Sequence, residues 1–143
     1  MNSTYSFEDL AVVFSHPGVG QIALQGEGLG SITFVMTNDI SQQDLAADGS
    51  VMTSKINAPN GTIAIQLQQT SDAAKWFRRY INYCISAASD QFAQGTLIGS
   101  SKVMGVTHTC TGVSPQKRAD ASYQQAGQQI SITLMAQIIR EGA

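Results

Sequence analysis

Residues 30–69 constrain the fold most strongly, because their pattern predicts two strands joined by an arm too long to be a simple turn. Apolar and polar residues alternate in the two flanking segments, residues 31–37 and 62–69. A period of two is typical of a strand with one buried face. The expected buried positions are Ile32, Phe34, Met36, Ile63, Ile65 and Leu67.

The arm between these strands covers about residues 38–61, and Asp48-Gly49 is its expected reversal. Gly prefers and Asp tolerates the positive φ of tight hairpin turns. The apolar residues of the return limb are too sparse to form a core, and a long arm in a compact domain is expected to be functional or disordered. We expect another copy of the chain to bury it, through Asp39, Asp44, Asp48, Gly49, Ser50, Val51, Met52, Ser54, Lys55 and Ile56.

One amphipathic helix is predicted at about residues 72–90. Thr70-Ser71-Asp72 supplies an N-cap and a carboxylate in the first turn. Apolar residues then recur at steps of three and four, which is typical of a helix that buries one face. The predicted core stripe consists of Trp76, Phe77, Tyr80, Ile81 and Ile85.

Further strands are predicted at residues 10–15, 19–25, 95–98, 102–111 and 129–138, with a polar loop at 112–127 and a short C-terminal tail. The alternating Gly26, Gly28 and Gly30 indicate a connector, since their spacing does not match a phosphate-binding loop. The expected fold is a single α+β, mainly β domain over residues 1–143, an antiparallel β-sandwich with one helix and a long hairpin arm.

Charge is scarce. Charged residues make up 13% of the 143 residues, against about 25% in typical soluble domains, and the net charge of −2 argues against a nucleic-acid-binding protein. The outward faces of the flanking strands carry Thr, Ser and Gln. Such a face would suit a wall along which a polyanion slides, since fixed positive charge would hold it. A generally low charge of the whole protein explains the same pattern without any such role.

The few charges are unevenly distributed, because all Lys and Arg residues lie at or after Lys55. The two halves could pair within one subunit or between copies. The N-terminus lacks a signal-peptide pattern and no apolar segment has the length of a membrane span, so we expect a cytoplasmic, soluble chain. Cys84 and Cys110 fit buried small hydrophobes better than a disulfide.

No catalytic, cofactor or metal site is predicted. His16 and His108 lack neighbours at metal-ligand spacing. Cys110 shares a strand face with His108, which a thiol nucleophile could use, although no third, orienting residue is evident. The acids of the arm do not have the spacing of a calcium loop.

Several segments resemble the tail tube (major tail) proteins of contractile-tailed bacteriophages. They are Tyr5-Ser6-Phe7-Glu8-Asp9-Leu10, Ala47-Asp48-Gly49-Ser50-Val51-Met52 with Ser54, residues 65–71 and the closing strand. The resemblance implies a virion protein that is assembled in the host cytoplasm. It further implies a sandwich or barrel-like subunit, with six copies to a ring and rings stacked into a hollow tube. Tail sheath, baseplate and tail terminator proteins would be its partners. Genomic DNA would pass through the lumen without sequence-specific binding.

Three hypotheses therefore remain. The first is a self-assembling structural subunit of a tail tube. The second is a β-sandwich binding module for carbohydrate or peptide, which would stay a small discrete species in solution. The third is an enzyme that uses Cys110 and His108.

Overall fold

The computed structural model describes residues 4, 6, 9–24 and 29–142. Gly26 and Gly28, and Tyr5, Phe7 and Glu8 of the Tyr5 to Leu10 segment, lie outside the described residues. The strands are β1 (Leu10–His16), β2 (Gly20–Leu24), β3 (Leu29–Met36), β4 (Ser41–Leu45), β5 (Val51–Lys55), β6 (Gly61–Gln68), β7 (Gly95–Ser101), β8 (Val106–Pro115), β9 (Gln129–Ala136) and β10 (Ile138–Gly142). The helices are α1 (Asp72–Ser86) and α2 (Ser89–Phe92).

Eight strands form one antiparallel sheet in the order β2-β1-β7-β8-β9-β6-β3, with β10 paired to β8. The strands β4 and β5 form a separate two-stranded sheet. The large sheet is open, with β2 and β3 as its ends. The predicted class, mainly β with one main helix and a hairpin arm, is confirmed.

The large sheet bends at β8, which pairs with β7 along most of its length, with β10 over residues 107–111 and with β9 at Ser114 and Pro115. Gly112 lies at this corner with φ of +63°, a value that favours glycine. The pairing of β7 with β8 shifts register here, because Gly95 lies opposite Val113 and Thr96 lies opposite Thr111. A bulge of this kind bends a strand and lets it serve two sheet segments.

The bend brings inward-facing side chains of distant strands together. The Phe34 ring of β3 stacks on the His108 ring of β8, with centroids 4.4 Å apart and planes 13° apart. The core lies between these layers. Its strand residues include the predicted Ile63, Ile65 and Leu67, all with 0% exposure, while Met36, also predicted to be buried, is 48% exposed at the end of β3.

Helix α1 closes the core above β1. Ser71 caps it, since its hydroxyl accepts a hydrogen bond from the Ala74 N–H at 3.2 Å. The Phe14 ring of β1 contacts the rings of Trp76, Phe77 and Tyr80, with centroid distances of 5.5, 5.7 and 4.9 Å. These three residues and Ile81 are buried, so the aromatic cluster fixes the helix on the sheet.

The assignment of Ile85 to this core stripe is wrong, because its side chain is 64% exposed. Cys84 is buried in its place. One residue turns a helix by about 100°, which carries Ile85 to the rim of the stripe in the last turn. The helix also ends at Ser86, where the Ala87 N–H donates to the Tyr83 carbonyl, and the short α2 follows instead of a continuation to residue 90.

The C-terminal half differs from prediction in further places. Strand β8 continues to Pro115, where the predicted loop began at residue 112. Residues 102–105 form a turn, with Gly105 at φ +66°, so β8 begins at Val106. The closing strand is divided at Gln137, whose N–H donates to the carbonyl oxygens of Thr111 and Gly112 at 3.1 and 3.3 Å. Ile138 therefore belongs to β10, and residues 140–142 of the predicted tail pair with β8.

None of the helices in the described part of the chain is long and apolar enough to cross a membrane.

Candidate assembly surface

The predicted arm is the hairpin β4–β5. Ser41 lies opposite Lys55 and Leu45 opposite Val51, so the two strands are in simple antiparallel register. The reversal occurs at Asp48-Gly49 as predicted, with Gly49 at φ +92° and its N–H donating to the Ala46 carbonyl at 3.0 Å.

Asp48 and Ser50 stabilise this turn. The Asp48 carboxylate accepts hydrogen bonds from the Ser50 hydroxyl at 2.7 Å and from the Ser50 N–H at 3.0 Å. The hydroxyl contact is the main cause that lowers the pKa of Asp48 from its ordinary 3.8. The turn therefore carries a negatively charged carboxylate at neutral pH, and the N–H and hydroxyl of Ser50 already donate hydrogen bonds to it.

The arm is exposed along both strands. Every residue of β4 and β5 is exposed, and neither strand pairs with any other described strand. Large apolar side chains share this exposure: Ile40 is 81%, Leu45 71% and Met52 62% exposed. Because an isolated two-stranded hairpin is marginally stable in water, the arm lacks most of the packing that would hold it. Of the predicted arm residues, Ile56 is half-buried and the others are exposed.

The register gives the arm two chemically different faces, because cross-strand partners lie on the same side. The Asp44 face consists of Ile40, Gln42, Asp44, Met52, Ser54 and Ile56. The Lys55 face consists of Ser41, Gln43, Leu45, Val51, Thr53 and Lys55. The Asp44 face thus combines apolar groups with a carboxylate, and the Lys55 face combines apolar groups with an ammonium group.

A second surface is the outward side of β3, β6 and β9. Its cross-strand rows are Val35–Thr62–Met135, Thr33–Ala64–Thr133 and Ser31–Gln66–Ser131. No charged residue occurs in these rows, which we call the uncharged face. The polar alternation in β3 and β6 predicted two of its strands, and the pairing of β6 with β9 adds the third.

A third surface, not predicted from the sequence, is a cleft of about 100 Å³ between α1, the loop at residues 116–128 and β9. We call it the arginine cleft. Its lining residues are Arg78, Ile81, Arg118, Ala119, Asp120, Ala121, Ile130 and Ile132. Sequence reasoning missed it because Arg78 and Arg118 are 40 positions apart and no periodicity connects a helix to a loop.

The Cys110 and His108 pair does not form a nucleophilic site. Cys110 has 0% exposure, and burial raises the pKa of its thiol to about 11, so it is protonated at neutral pH. His108 stacks on Phe34. Within the described ranges, no three His, Cys, Asp or Glu side chains cluster in a way that could hold a metal ion.

Comparison with solved structures shows similar folds in contractile injection systems. A chain of the sheath/tube terminator of the extracellular contractile injection system PVC has a TM-score of 0.64 at 11% identity, covering 99% of this chain and 99% of that one. A chain of the PVC sheath-tube complex gives 0.62 at 12% identity, covering 98% and 92%. A chain of the anti-feeding prophage cap, a tube-terminating cap, gives 0.60 at 12%, covering 100% and 95%.

No curated protein matches the sequence significantly. The family model described as the bacteriophage PhiTE tail tube protein matches residues 2–142, which is nearly the whole chain, and it confirms the resemblance seen in the sequence. Members of this family are structural tail proteins and not enzymes. The chain therefore belongs to the bacteriophage PhiTE tail tube protein family and is a structural component of a phage tail.

Proposed function

We propose that copies of this chain assemble into hexameric rings, and that the rings stack into the inner tube of a contractile tail, the conduit for DNA ejection. The arm links each copy to another. The observation that carries this proposal is the exposure of the whole β4–β5 hairpin together with its apolar side chains.

The energetics favour burial of the arm on a sister molecule. Full burial of a large apolar side chain contributes roughly 1.5–3 kcal/mol. Ile40, Leu45, Val51 and Met52, each more than half exposed, could together contribute on the order of 5–10 kcal/mol before ordering and association costs are deducted. Repeated around a ring and along a tube, that contribution per copy favours assembly.

The uncharged face suits the wall of the lumen. A wall with fixed Lys or Arg would bind phosphates through counterion release and retard the DNA. The Thr, Ser and Gln side chains of β3, β6 and β9 are hydrated yet hold no net charge, so we assign this face to the channel. DNA would then pass without sequence-specific binding, since the outward rows offer no basic stripe.

The proposed partners follow from this placement. We infer that the assembled tube contacts a tail sheath, a baseplate and a tail terminator, and that assembly takes place in the host cytoplasm before the tail becomes part of the virion. Chains of similar fold occur in a sheath/tube terminator, in a sheath-tube complex and in a baseplate, which supports these partner classes.

Deletion of the arm tests the proposal. Because Ser41 and Lys55 are cross-strand partners, residues 42–54 can be replaced by Asn-Gly, which closes a two-residue hairpin. The purified wild type is expected to form rings and tubes of uniform bore in negative-stain microscopy, and the shortened variant is expected to be a folded monomer with an unchanged melting temperature.

Tubes that persist without the hairpin would contradict the role of the arm. A wild-type protein that stays monomeric at high concentration would contradict the tube itself and would favour a discrete β-sandwich binding module for carbohydrate or peptide.

A further inference from the structure

The arginine cleft has the chemistry of a receptor for a carboxylate beside an apolar group. Its floor is apolar and buried, with Ile81, Ile130 and Ile132 exposed by 3%, 6% and 1%. Two guanidinium groups, Arg78 from α1 and Arg118 from the loop, border this floor, and both residues are exposed.

Both arginines are without a partner in the described structure. Neither Arg78 nor Arg118 forms an ion pair with any described residue, even though Asp120 also lines the cleft. Lys117 borders the adjoining groove beside Arg118. Guanidinium groups bind carboxylates through paired N–H donors. Two of them above isoleucines, unpaired among the described residues, specify an acidic ligand with an apolar neighbour.

The Asp44 face of the arm carries that combination. Asp44 lies directly opposite Met52, and Met52 is 62% exposed. The carboxylate and the thioether side chain therefore project from the same side of the hairpin as one unit. A flexible, apolar Met side chain adapts readily to a small cleft.

The other candidate groups of the arm fit the cleft less well. The Lys55 face would place an ammonium group near Arg78 and Arg118, which repel it. The carboxylate of Asp48 already accepts two hydrogen bonds from Ser50. The arm as a whole carries three aspartates against one lysine, so its charge also complements the surroundings of the cleft.

We propose that the arm of one copy docks in the arginine cleft of another, with Asp44 between Arg78 and Arg118 and Met52 on the isoleucine floor. This inference rests on the proposed self-assembly and identifies the surface that receives the arm. It also explains why two cations at the rim of the core have no partner within the described subunit.

Charge reversal with rescue tests this pairing. Asp44→Lys alone, and Arg78→Glu with Arg118→Glu, should each lower the yield of sedimentable tubes by about tenfold or more at moderate ionic strength. The combined variant should recover at least half of the wild-type yield. Asp90→Lys on α2 and Arg79→Glu on α1, both exposed, are matched controls outside the contact, and both should assemble normally.

A crosslink gives an independent readout. Met52→Cys with Ala119→Cys should yield a disulfide-linked ladder on oxidation, since Cys84 and Cys110 are buried. Val51→Cys with Ala119→Cys, on the opposite face of the arm, should not. Normal tubes from both reversed variants, a combined variant no better than its parents, or equal crosslinking from both cysteine pairs would each overturn the docking site. If those results accompany an arm-deleted protein that fails to assemble, the tube proposal itself survives.

Discussion

Phe14 is the residue on which the helix and the sheet converge. Its ring makes edge or tilted contacts with three aromatic rings of α1, and each such contact adds about 0.5–1.5 kcal/mol beyond area burial. The Trp76 and Tyr80 rings in turn stack 5.8 Å apart. Truncation at any of these positions leaves a cavity that the neighbouring rings can fill only in part.

Phe77→Ala should therefore lower the free energy of unfolding by about 3–5 kcal/mol, as truncation of a core aromatic does. The matched control is Ile85→Ala on the same helix, which should change it by less than about 0.5 kcal/mol because the side chain is 64% exposed. Chemical denaturation of the arm-deleted monomer measures both without interference from assembly. Equal effects of the two substitutions would show that the helix packs through a different face.

Cys110 gives the molecule a dependence on alkaline pH. Burial raises the pKa of its thiol from 9.0 to about 11, so between these values the unfolded chain releases a proton that the native chain retains. Stability contributed by this group is thus complete below pH 9 and declines as the pH rises toward 11. Unfolding free energies of wild type should fall more steeply over this range than those of Cys110→Ala. If the unfolding free energies of the two proteins fell equally with pH, the raised pKa of the Cys110 thiol would be contradicted.

Among the elements, β8 determines how the sheet bends, and the bend depends on Gly112. A Cβ at this position would lie 2.5 Å from the Gln137 side-chain oxygen and would require an L-residue at φ +63°. The turn before β8 offers a comparison, because Gly105 has φ +66° with open space around it. Substitution of Gly105 thus measures the cost of backbone strain, and substitution of Gly112 measures that cost together with the cost of crowding.

Gly105→Ala should cost about 1–2 kcal/mol of stability from the left-handed backbone alone. Gly112→Ala should lower the stability by more than Gly105→Ala does. The double variant Gly112→Ala with Gln137→Ala should recover this additional loss, because it lacks the side chain that the new Cβ would meet. Thermal melts of the three variants give the ranking. Gly127→Ala, where the Cβ meets open space at ordinary φ, should be neutral. A Gly112→Ala variant no worse than Gly105→Ala would mean that Gln137 moves aside freely.

At the scale of the whole molecule, the sequence predicted what depends on local periodicity and missed what depends on long-range placement. Alternation located β6 and β9, and the Asp-Gly pair located the reversal of the arm at Asp48-Gly49. Nothing local distinguishes Ile138 from the alternating run before it, and its transfer to β10 follows from the corner at Gly112. The arginine cleft likewise appears only when α1 and the loop meet above β9.

The arm also predicts how order is distributed in the free and assembled states. Among the described residues of one subunit, the amides of β4 and β5 are held by bonds within the hairpin, such as that from the Ile56 N–H to the Ile40 carbonyl at 2.7 Å. Because little packing protects the arm, we expect the amides of β4 and β5 to exchange hydrogen within seconds. The amides of Ile63 and Ile65 in β6 should stay protected. In tubes, burial on a sister molecule should slow exchange in β4 and β5 by orders of magnitude and leave β6 unchanged. Hydrogen exchange read by mass spectrometry compares the two states directly. An arm already protected in the monomer would mean that it folds back on its own subunit, and one that stays unprotected in tubes would mean that assembly relies on other contacts.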